Sequence, residues 1–551
     1  MVTAVINGRI VDGRKTPAFY GSIRMENGRI TGVFPAGHEA EATAGAKQVL
    51  DAEGNVVCPG FVDTHSHMDV QFLKKSLQES LIRQGITTSL LGQDGVSMAP
   101  LPAGWRESWG VSVAGMDGSL DGLTVDYETV DGYLGKLEES SIGSNAAYLV
   151  PHGNIRLQVM GMEDRAPDQK ELEQMKALLR EALKQGAAGL SAGLLYVPCA
   201  YAGTEELIEL CRVVAEYDSV FVVHQRSEAD DILSSMDEII RIGRESGVHI
   251  HFSHFKACGK NTWPLIPQML QKLDAAEKEG IRVSFDQYPY AAGSTTLLVV
   301  LPPWVQEGGP EKLFARLKDP DVLARIRREI EAGSKGWDNF VDFAGWDGIF
   351  LTYAASEENR KYVGASIQDI AQRMGTDPLS AAVRLILEEK GQVSMVDFYG
   401  KEEHVERFLL REEQNVCTDG VISGTPHPRC YGTYPRILEK YVREKPLLTL
   451  EEAVYKMTYK AAEVFGMEQE IGSIETGKAA DLVIFSPERI AEKGTFAEPA
   501  QYPDGIEGVF INGKPVLWHG RLLEEHAGRV LRRRYCRETE EQENGSSICG
   551  A

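Results

Sequence analysis

The sequence predicts an α/β protein in which a (β/α)8 barrel of the TIM type is joined to a small β-sandwich built from both chain ends. The middle of the chain alternates short apolar strands with amphipathic helices, as parallel strands with helical crossovers require. About eight such units occur, which is the number that closes this kind of barrel. Both ends carry β-branched runs separated by Asn-Gly, Asp-Gly and Glu-Gly, which favour hairpins.

The domain boundaries follow from these changes in sequence pattern. Residues 1–58 and 468–534 are expected to form the two parts of the sandwich, and residues 59–467 the barrel. A stretch at about 291–350 breaks the strand–helix alternation and is predicted to be an insertion that lines a pocket. Residues 535–551 are polar and acidic, with Gly and Ser, so we expect a disordered tail.

Eight apolar runs are the candidate barrel strands, and two long amphipathic stretches between them, "DQKELEQMKALLREALKQG" and "DDILSSMDEIIRIGRESG", are clear helices. The second begins with acids and ends at Gly, which fits helix capping and the helix dipole. The predicted strands are Val56–Val62, Thr88–Leu91, Ala146–Val150, Gly189–Ser191, Val220–His224, His249–His254, Arg282–Asp286 and Asn415–Thr418.

Composition narrows the class of protein. The chain has 551 residues and a formal charge of −23, which argues against a partner that is a nucleic acid or an anionic membrane. The N-terminus lacks a signal-peptide pattern, and no apolar run approaches the roughly 20 residues of a membrane helix. The eight cysteines form no CxxC pair and are expected to be free thiols, which predicts a cytoplasmic protein. The oligomeric state stays open.

Histidines stand where several predicted strands end. His65 and His67 follow the first strand, and residues at i and i+2 of an extended chain point to the same side. His224 ends the run Val220–Val223, and His254 ends the next strand. The carboxyl ends of barrel strands share one face, so we expect these four imidazoles to converge there.

The remaining histidines near strand ends have a plainer interpretation. Alternation places His249 and His251 on the face opposite to His254, so both are predicted to be packing or surface residues. His152 ends another strand, and the sequence leaves open whether it supports the site or only packs.

Two aspartates in loops complete the candidate site. Asp94 and Asp419 both precede Gly, and taken alone each is an ordinary turn residue. On a face shared with four histidines they gain another role, because imidazoles and carboxylates bind zinc-like divalent metals. A bound metal lowers the pKa of a water toward about 7 and polarises a carbonyl oxygen. A nearby carboxylate can take the proton of that water and pass it to a leaving nitrogen.

These motifs resemble the amidohydrolase superfamily and, more closely, the N-acyl-D-amino-acid deacylases (D-aminoacylases). The resemblance extends over residues 2–533 and is carried by "PGFVDTHSHMD", "HQRSE", "SHFKACGK", "DQYPYAAGSTTLLVVLPPW" and "TDGVISGTPHPRCYGTYPR". It implies a barrel with a small β-sandwich. It also implies hydrolysis of an N-acyl-D-amino acid to a carboxylate and a free D-amino acid by a metal-activated water.

The resemblance also implies roles for individual residues. The metal, usually one or two zinc ions, would be held by His65, His67, His224, His254 and Asp419, and Asp419 would also be the catalytic base and acid. The carboxylate of a small-molecule substrate would contact Lys256, Tyr288, Ser294 and Arg429, with Tyr196 nearby. Local cations of this kind are what an anionic substrate needs inside an acidic protein.

One position departs from the family pattern. Members commonly have Asn-Cys-Gly, with a metal-binding cysteine, where this chain has Gln93-Asp94-Gly95. Asp94 is therefore expected to be a metal ligand, and a carboxylate there also suits Mn²⁺ or Fe²⁺ and could bridge two metals.

Several alternatives remain open. A related amidohydrolase acting on small dipeptides or on cyclic amides is the main one, and a non-catalytic homologue would be expected to have lost its ligands. The side chain and acyl group of the substrate are not determined by the sequence.

Overall fold

The computed structural model describes residues 2–74, 77–118, 120, 122–123, 127–333 and 336–535. These residues contain twenty strands and twenty α-helices. The strands are β1 (Val2–Ile10), β2 (Phe19–Glu26), β3 (Arg29–Pro35), β4 (Gln48–Asp51), β5 (Val56–Pro59), β6 (Phe61–Asp63), β7 (Ile86–Leu91), β8 (Asn145–Pro151), β9 (Gly189–Gly193), β10 (Val220–His224), β11 (His249–Phe252), β12 (Val283–Gln287), β13 (Gly293–Thr296), β14 (Ile349–Ala354), β15 (Val393–Asp397), β16 (Gln414–Val416), β17 (Leu482–Phe485), β18 (Ile506–Ile511), β19 (Lys514–Trp518) and β20 (Arg521–Leu522).

The helices lie mainly between the barrel strands and in the insertion. They are α1 (Glu39–Thr43), α2 (Asp69–Leu73), α3 (Glu79–Ile82), α4 (Arg106–Asp117), α5 (Val130–Glu139), α6 (His152–Met160), α7 (Gln169–Lys184), α8 (Thr204–Glu216), α9 (Ile232–Ser246), α10 (Ile266–Lys278), α11 (Pro310–Arg316), α12 (Pro320–Glu331), α13 (Phe340–Ala344), α14 (Glu357–Arg360), α15 (Ile367–Met374), α16 (Pro378–Glu388), α17 (Glu402–Leu409), α18 (Arg429–Arg436), α19 (Leu450–Met457) and α20 (Tyr459–Val464). None of the helices in these ranges is long and apolar enough to cross a membrane.

A parallel barrel holds the centre of the molecule. Its eight strands follow the order β6–β7–β8–β9–β10–β11–β12–β16, and each overlaps one of the eight predicted segments. The two end strands are linked just beyond their ends, where Asp419 N–H donates to His65 O over 2.8 Å and Ser66 bridges Gly420. The barrel is therefore nearly closed, and the predicted fold class is confirmed.

The first predicted strand, Val56–Val62, is divided in the structure. β5 joins the sheet of the chain ends and β6 begins the barrel, with Gly60 between them. A Cβ at Gly60 would lie 2.0 Å from the Thr87 hydroxyl oxygen, so only glycine allows the chain to pass there.

Both chain ends meet in one nine-stranded sheet with the order β20–β19–β18–β17–β5–β1–β2–β3, and β4 pairs with β1 beside it. β5 connects the two halves, because it pairs in parallel with β1 and antiparallel with β17. The Asn-Gly turns after β2 and β18 have positive φ at both residues, as tight hairpin turns require.

The insertion is longer than the predicted 291–350. It fills residues 288–413 between β12 and β16, and it contains an antiparallel sheet of order β13–β15–β14 together with α11 to α17. The sequence missed its end because β14 and β15 are apolar runs flanked by helices, like barrel strands. Their antiparallel pairing with each other is a long-range property.

The predicted tail begins with an ordered residue. The ring of Tyr535 packs at 5.1 Å on that of Tyr217, and its hydroxyl donates to Ala187 O. This aromatic contact attaches residue 535 to the barrel. Residues 536–551, the rest of the predicted tail, lie outside the described residues.

Candidate metal centre

The two histidines after β6 lie at the closing seam of the barrel. His65 and His67 are both buried, and their Nε2 atoms are 3.3 Å apart. Asp63 links the two sides of this seam. Its carboxylate accepts hydrogen bonds from the backbone N–H and the hydroxyl of Thr418 at 2.8 and 2.6 Å. Closure of the barrel therefore brings the residue after Thr418 to the histidine pair.

That residue is Asp419, and it sits between histidines and a guanidinium. Its Oδ1 lies 3.4 Å from His67 Nε2 and 3.7 Å from His65 Nε2, while Oδ2 pairs with Arg429 Nη1 at 2.8 Å. Burial alone would raise the pKa of Asp419, but Arg429 and His67 outweigh it and hold this pKa well below the usual value. Asp419 is thus a carboxylate at neutral pH.

Asp94 lies at the centre of the cluster. Its carboxylate oxygens are 3.6 Å from His65 Nε2, 3.5 Å from His67 Nε2, 4.0 Å from His224 Nδ1 and 3.8 Å from His254 Nε2. The turn that presents it has φ 53° at Asp94, between Gly92 and Gly95 with φ 78° and 71°. Asp94 is therefore both a turn residue and a carboxylate that faces four imidazoles.

His224 and His254 close the other side of the cluster. His224 is the last residue of β10, His254 follows β11, and His224 Nδ1 lies 3.0 Å from His254 Nε2. Burial lowers the pKa of His224 to about 4, so its ring is neutral at pH 7, the form that binds metals.

These residues fit a divalent metal. Three groups of possible ligand atoms are fully buried, and the atoms of each group lie within 4.8 Å of one another: His65–His67–Asp419, His65–Asp94–His254 and His224–Glu228–His254. Within the described chain, Asp94 Oδ1 forms no hydrogen bond although it is buried. A buried carboxylate oxygen without a donor is costly, and a cation would satisfy it.

The candidate substrate residues line the same cavity. Tyr196, Lys256, Tyr288 and Ser294 border it, and Arg429 stacks on Tyr288 with 4.4 Å between the guanidinium carbon and the ring centre. Arg429 Nη2 also donates to Ser294 O over 3.1 Å, and the Tyr196 hydroxyl contacts that of Thr295 at 2.9 Å. The structure thus brings all the predicted site residues together.

Glu228 and Asp117 are polar neighbours of the cluster that the sequence did not single out. Glu228 is 2.6 Å from Lys256 Nζ and 3.2 Å from His254 Nδ1, and Asp117 accepts from His67 Nδ1 at 3.1 Å. Carboxylates that orient ligand histidines are typical of metal sites. Glu228 had a usable signal, since it is the fourth residue after His224 in a polar stretch; Asp117, at the end of α4, had none.

The other strand-end histidines lie away from the cluster. His251 is buried against Ser284 and Asp286, with ring nitrogens 2.7 and 3.0 Å from their oxygens. His152 Nε2 contacts Glu206 at 2.8 Å. His249 Nε2 contacts Ser284 Oγ at 2.8 Å, so these residues pack the barrel, as predicted for His249 and His251.

Known proteins share this sequence and architecture. The pattern of the Amidohydrolase family (Amidohydro_3) matches residues 48–305 and 386–517. The D-aminoacylase of Alcaligenes xylosoxydans xylosoxydans is 32% identical over 535 residues, which cover 96% of both chains. The N-acyl-D-glutamate deacylase of the same organism is 32% identical over 527 residues, covering 96% of this chain and 95% of that enzyme.

Solved structures of related enzymes also resemble this chain. An N-acyl-D-glutamate deacylase from Bordetella bronchiseptica, complexed with zinc and a phosphonate that mimics the tetrahedral intermediate, aligns with a TM-score of 0.81 at 32% identity, covering 96% of this chain and 99% of that chain. A D-aminoacylase structure described as having a binuclear metal centre aligns with a TM-score of 0.79 at 30% identity, with the same coverage. The chain belongs to the amidohydrolase family, in its D-aminoacylase group.

Proposed function

We propose that the protein hydrolyses the amide bond of N-acyl-D-amino acids and releases a carboxylate and a free D-amino acid. The observation that carries the proposal is the buried cluster of four histidines with Asp94 and Asp419, next to Lys256 and Arg429. The relatives of this chain named for D-aminoacylase and N-acyl-D-glutamate deacylase activity support it.

Metal binding is part of the proposal. His65, His67, Asp94, His224, His254 and Asp419 would hold one or two divalent ions, and zinc is the first choice because zinc is present in a related structure. Such an ion supplies polarisation of the amide carbonyl and a lowered water pKa. Mn²⁺ and Fe²⁺ are the alternatives that the Asp94 carboxylate favours.

Asp419 is the proposed proton carrier. Its ionised carboxylate takes a proton from the attacking water as the new C–O bond forms, and gives that proton to the amide nitrogen as the C–N bond breaks. Arg429 contacts the carboxylate of Asp419 at 2.8 Å, which fixes its orientation. The low pKa of Asp419 keeps it deprotonated before the reaction.

Lys256, Arg429, Tyr288 and Ser294 are the proposed contacts of the substrate carboxylate. Lys256 lines the cavity and the buried Arg429 stacks on Tyr288 beside it, and a charge-assisted hydrogen bond is strong in such a site. Tyr196 lines the same cavity. The same proposal places the enzyme in the cytoplasm, since all six described cysteines are buried free thiols.

The test combines metal content with a panel of N-acetyl-D- and N-acetyl-L-amino acids and small dipeptides. We expect the purified enzyme to hold metal and to hydrolyse D substrates in preference to L substrates. The Asp419→Asn variant should keep its metal and lose turnover by about 100-fold or more, the range of a general acid–base group. Full activity of this variant, or hydrolysis of dipeptides alone, contradicts the proposal.

A further inference from the structure

The cavity at the metal centre has more acidic groups than its proposed chemistry needs. Of the described residues that line it, Lys256 is the one ammonium, whereas the carboxylates are Asp94, Glu228, Asp338, Asp397 and Asp419. Asp94 and Asp419 face the histidines, and Glu228 pairs with Lys256 at 2.6 Å. Asp338 accepts from the Ser227 hydroxyl at 2.5 Å and from the Glu228 backbone N–H at 2.7 Å. Asp397 remains.

Asp397 is a buried carboxylate that no cation of the described residues contacts directly. Only 2% of the residue is exposed, and it forms no ion pair with any residue of the described chain. Burial raises its pKa to about 7 and outweighs the opposing influence of Lys256 and Arg429. A buried ionisable group of this kind is stabilised when a cation comes within contact distance.

The position of Asp397 separates it from part of the proposed carboxylate site. Asp397 pairs with Gly293 in the β13–β15 ladder, and Val396 pairs with Ser294. Because successive side chains alternate between the faces of a sheet, Asp397 and Ser294 lie on opposite faces. A Cβ at Gly293 would lie only 2.9 Å from Asp397 Oδ1 and 3.6 Å from the Tyr288 hydroxyl, so the absent side chain lets this carboxylate pack against the Gly293 backbone, near Tyr288.

The cations near the cavity are already paired. Lys256 contacts Glu228 and Arg429 contacts Asp419, and both are also the proposed partners of the substrate's α-carboxylate. A substrate with a second carboxylate in its side chain would find no free cation among the described lining residues. It would instead meet Asp397, and like charges in a buried site repel strongly.

We propose that the preferred substrates are N-acyl-D-amino acids whose side chain carries a positive charge, and that Asp397 binds this charge. This inference rests on the proposed deacylase function. It makes Asp397 a specificity residue, and it separates this chain from the relatives named for D-glutamate and D-aspartate substrates.

The test compares three substrates of similar size: Nα-acetyl-D-lysine, N-acetyl-D-norleucine and N-acetyl-D-glutamate. Norleucine has the lysine carbon chain without the ammonium group. We expect kcat/KM to be at least tenfold higher for lysine than for norleucine, and lowest for glutamate. In Asp397→Asn the ratio of lysine to norleucine should fall toward one, while Asp321→Asn, an exposed residue far along the chain in α12, keeps the wild-type ratio.

The possible outcomes separate a failure of the inference from a failure of the proposed function. Hydrolysis of norleucine and lysine at equal efficiency, a preference for glutamate, or an unchanged ratio in Asp397→Asn overturns this inference and leaves the deacylase function standing. The wild-type ratios decide it even where the variant does not fold. If the metal-loaded enzyme hydrolyses none of the three D substrates, the proposed function fails together with the inference.

Discussion

Asp94 is the residue on which the metal preference of the site is expected to depend most. It lies within 4.0 Å of a ring nitrogen of all four clustered histidines, at the position where the family commonly has a cysteine. A thiolate is a soft ligand that selects zinc, whereas a carboxylate is hard and also accepts Mn²⁺ or Fe²⁺. The choice of metal is therefore expected to depend on this residue.

Replacement of Asp94 by cysteine should shift the metal preference toward zinc. After exchange against equal concentrations of Zn²⁺ and Mn²⁺, we expect a higher zinc-to-manganese ratio in Asp94→Cys than in the wild type. Asp94→Ala should bind either metal at least 10-fold more weakly, since a ligand is lost. Elemental analysis of the dialysed proteins measures both effects. Identical metal ratios in wild type and Asp94→Cys would show that residue 94 does not contact the metal.

At the scale of single elements, α7 illustrates a helix whose start is encoded locally. Asp168 accepts a hydrogen bond from Glu171 N–H, and Glu171 accepts one from Asp168 N–H, each at 2.8 Å. This reciprocal capping box satisfies two backbone donors that the first turn leaves free. The stretch "DQKELEQMKALLREALKQG" already contains it in sequence.

Removing the cap of α7 should lower stability without touching the site. We expect Asp168→Ala to lower the free energy of unfolding by about 1 kcal/mol, the usual value of an N-cap side chain. Asp168→Asn keeps an acceptor oxygen and serves as the matched control, with a smaller loss. Thermal unfolding followed by circular dichroism measures the difference. Equal melting temperatures of Asp168→Ala and the wild type would show that this cap contributes nothing.

At the scale of the whole molecule, Asp481 joins the barrel to the sheet of the chain ends. Its carboxylate accepts from Asn145 Nδ2 at the start of β8, over 2.8 Å, and from the Asn512 backbone N–H between β18 and β19, over 2.6 Å. Burial raises the pKa of Asp481 to about 6, above that of an unfolded aspartate.

This raised pKa makes stability fall as the pH rises. Near pH 5 the folded protein holds a proton on Asp481 that the unfolded chain releases, so folding is penalised as the carboxylate ionises. Between pH 5 and 7 the Asp481 contribution should drop by about 1.4 kcal/mol, the value of one pKa unit. We expect the melting temperature of Asp481→Asn to fall less between pH 5 and pH 7 than that of the wild type. Parallel pH profiles of the two proteins would contradict this role.

The sequence by itself determined the local features of this protein. Strand and helix periodicity predicted the eight barrel segments, and the residues at or just after their ends included His65, His67, His224, His254 and Asp419. These follow from short-range rules, because side-chain direction repeats every two residues in a strand and every 3.6 in a helix. The shared face of parallel strand ends then predicted that the residues converge.

Only the tertiary structure decided which distant residues meet. The antiparallel partners of β15, the pairing of Glu228 with Lys256 and the unpaired state of Asp397 all depend on residues far apart in the chain or on contacts across the cavity. The role of Asp94 also required the tertiary structure, because an Asp-Gly turn and an Asp that faces four histidines look the same in sequence. The physical reason is that burial and charge pairing are set by packing in space, which local patterns do not encode.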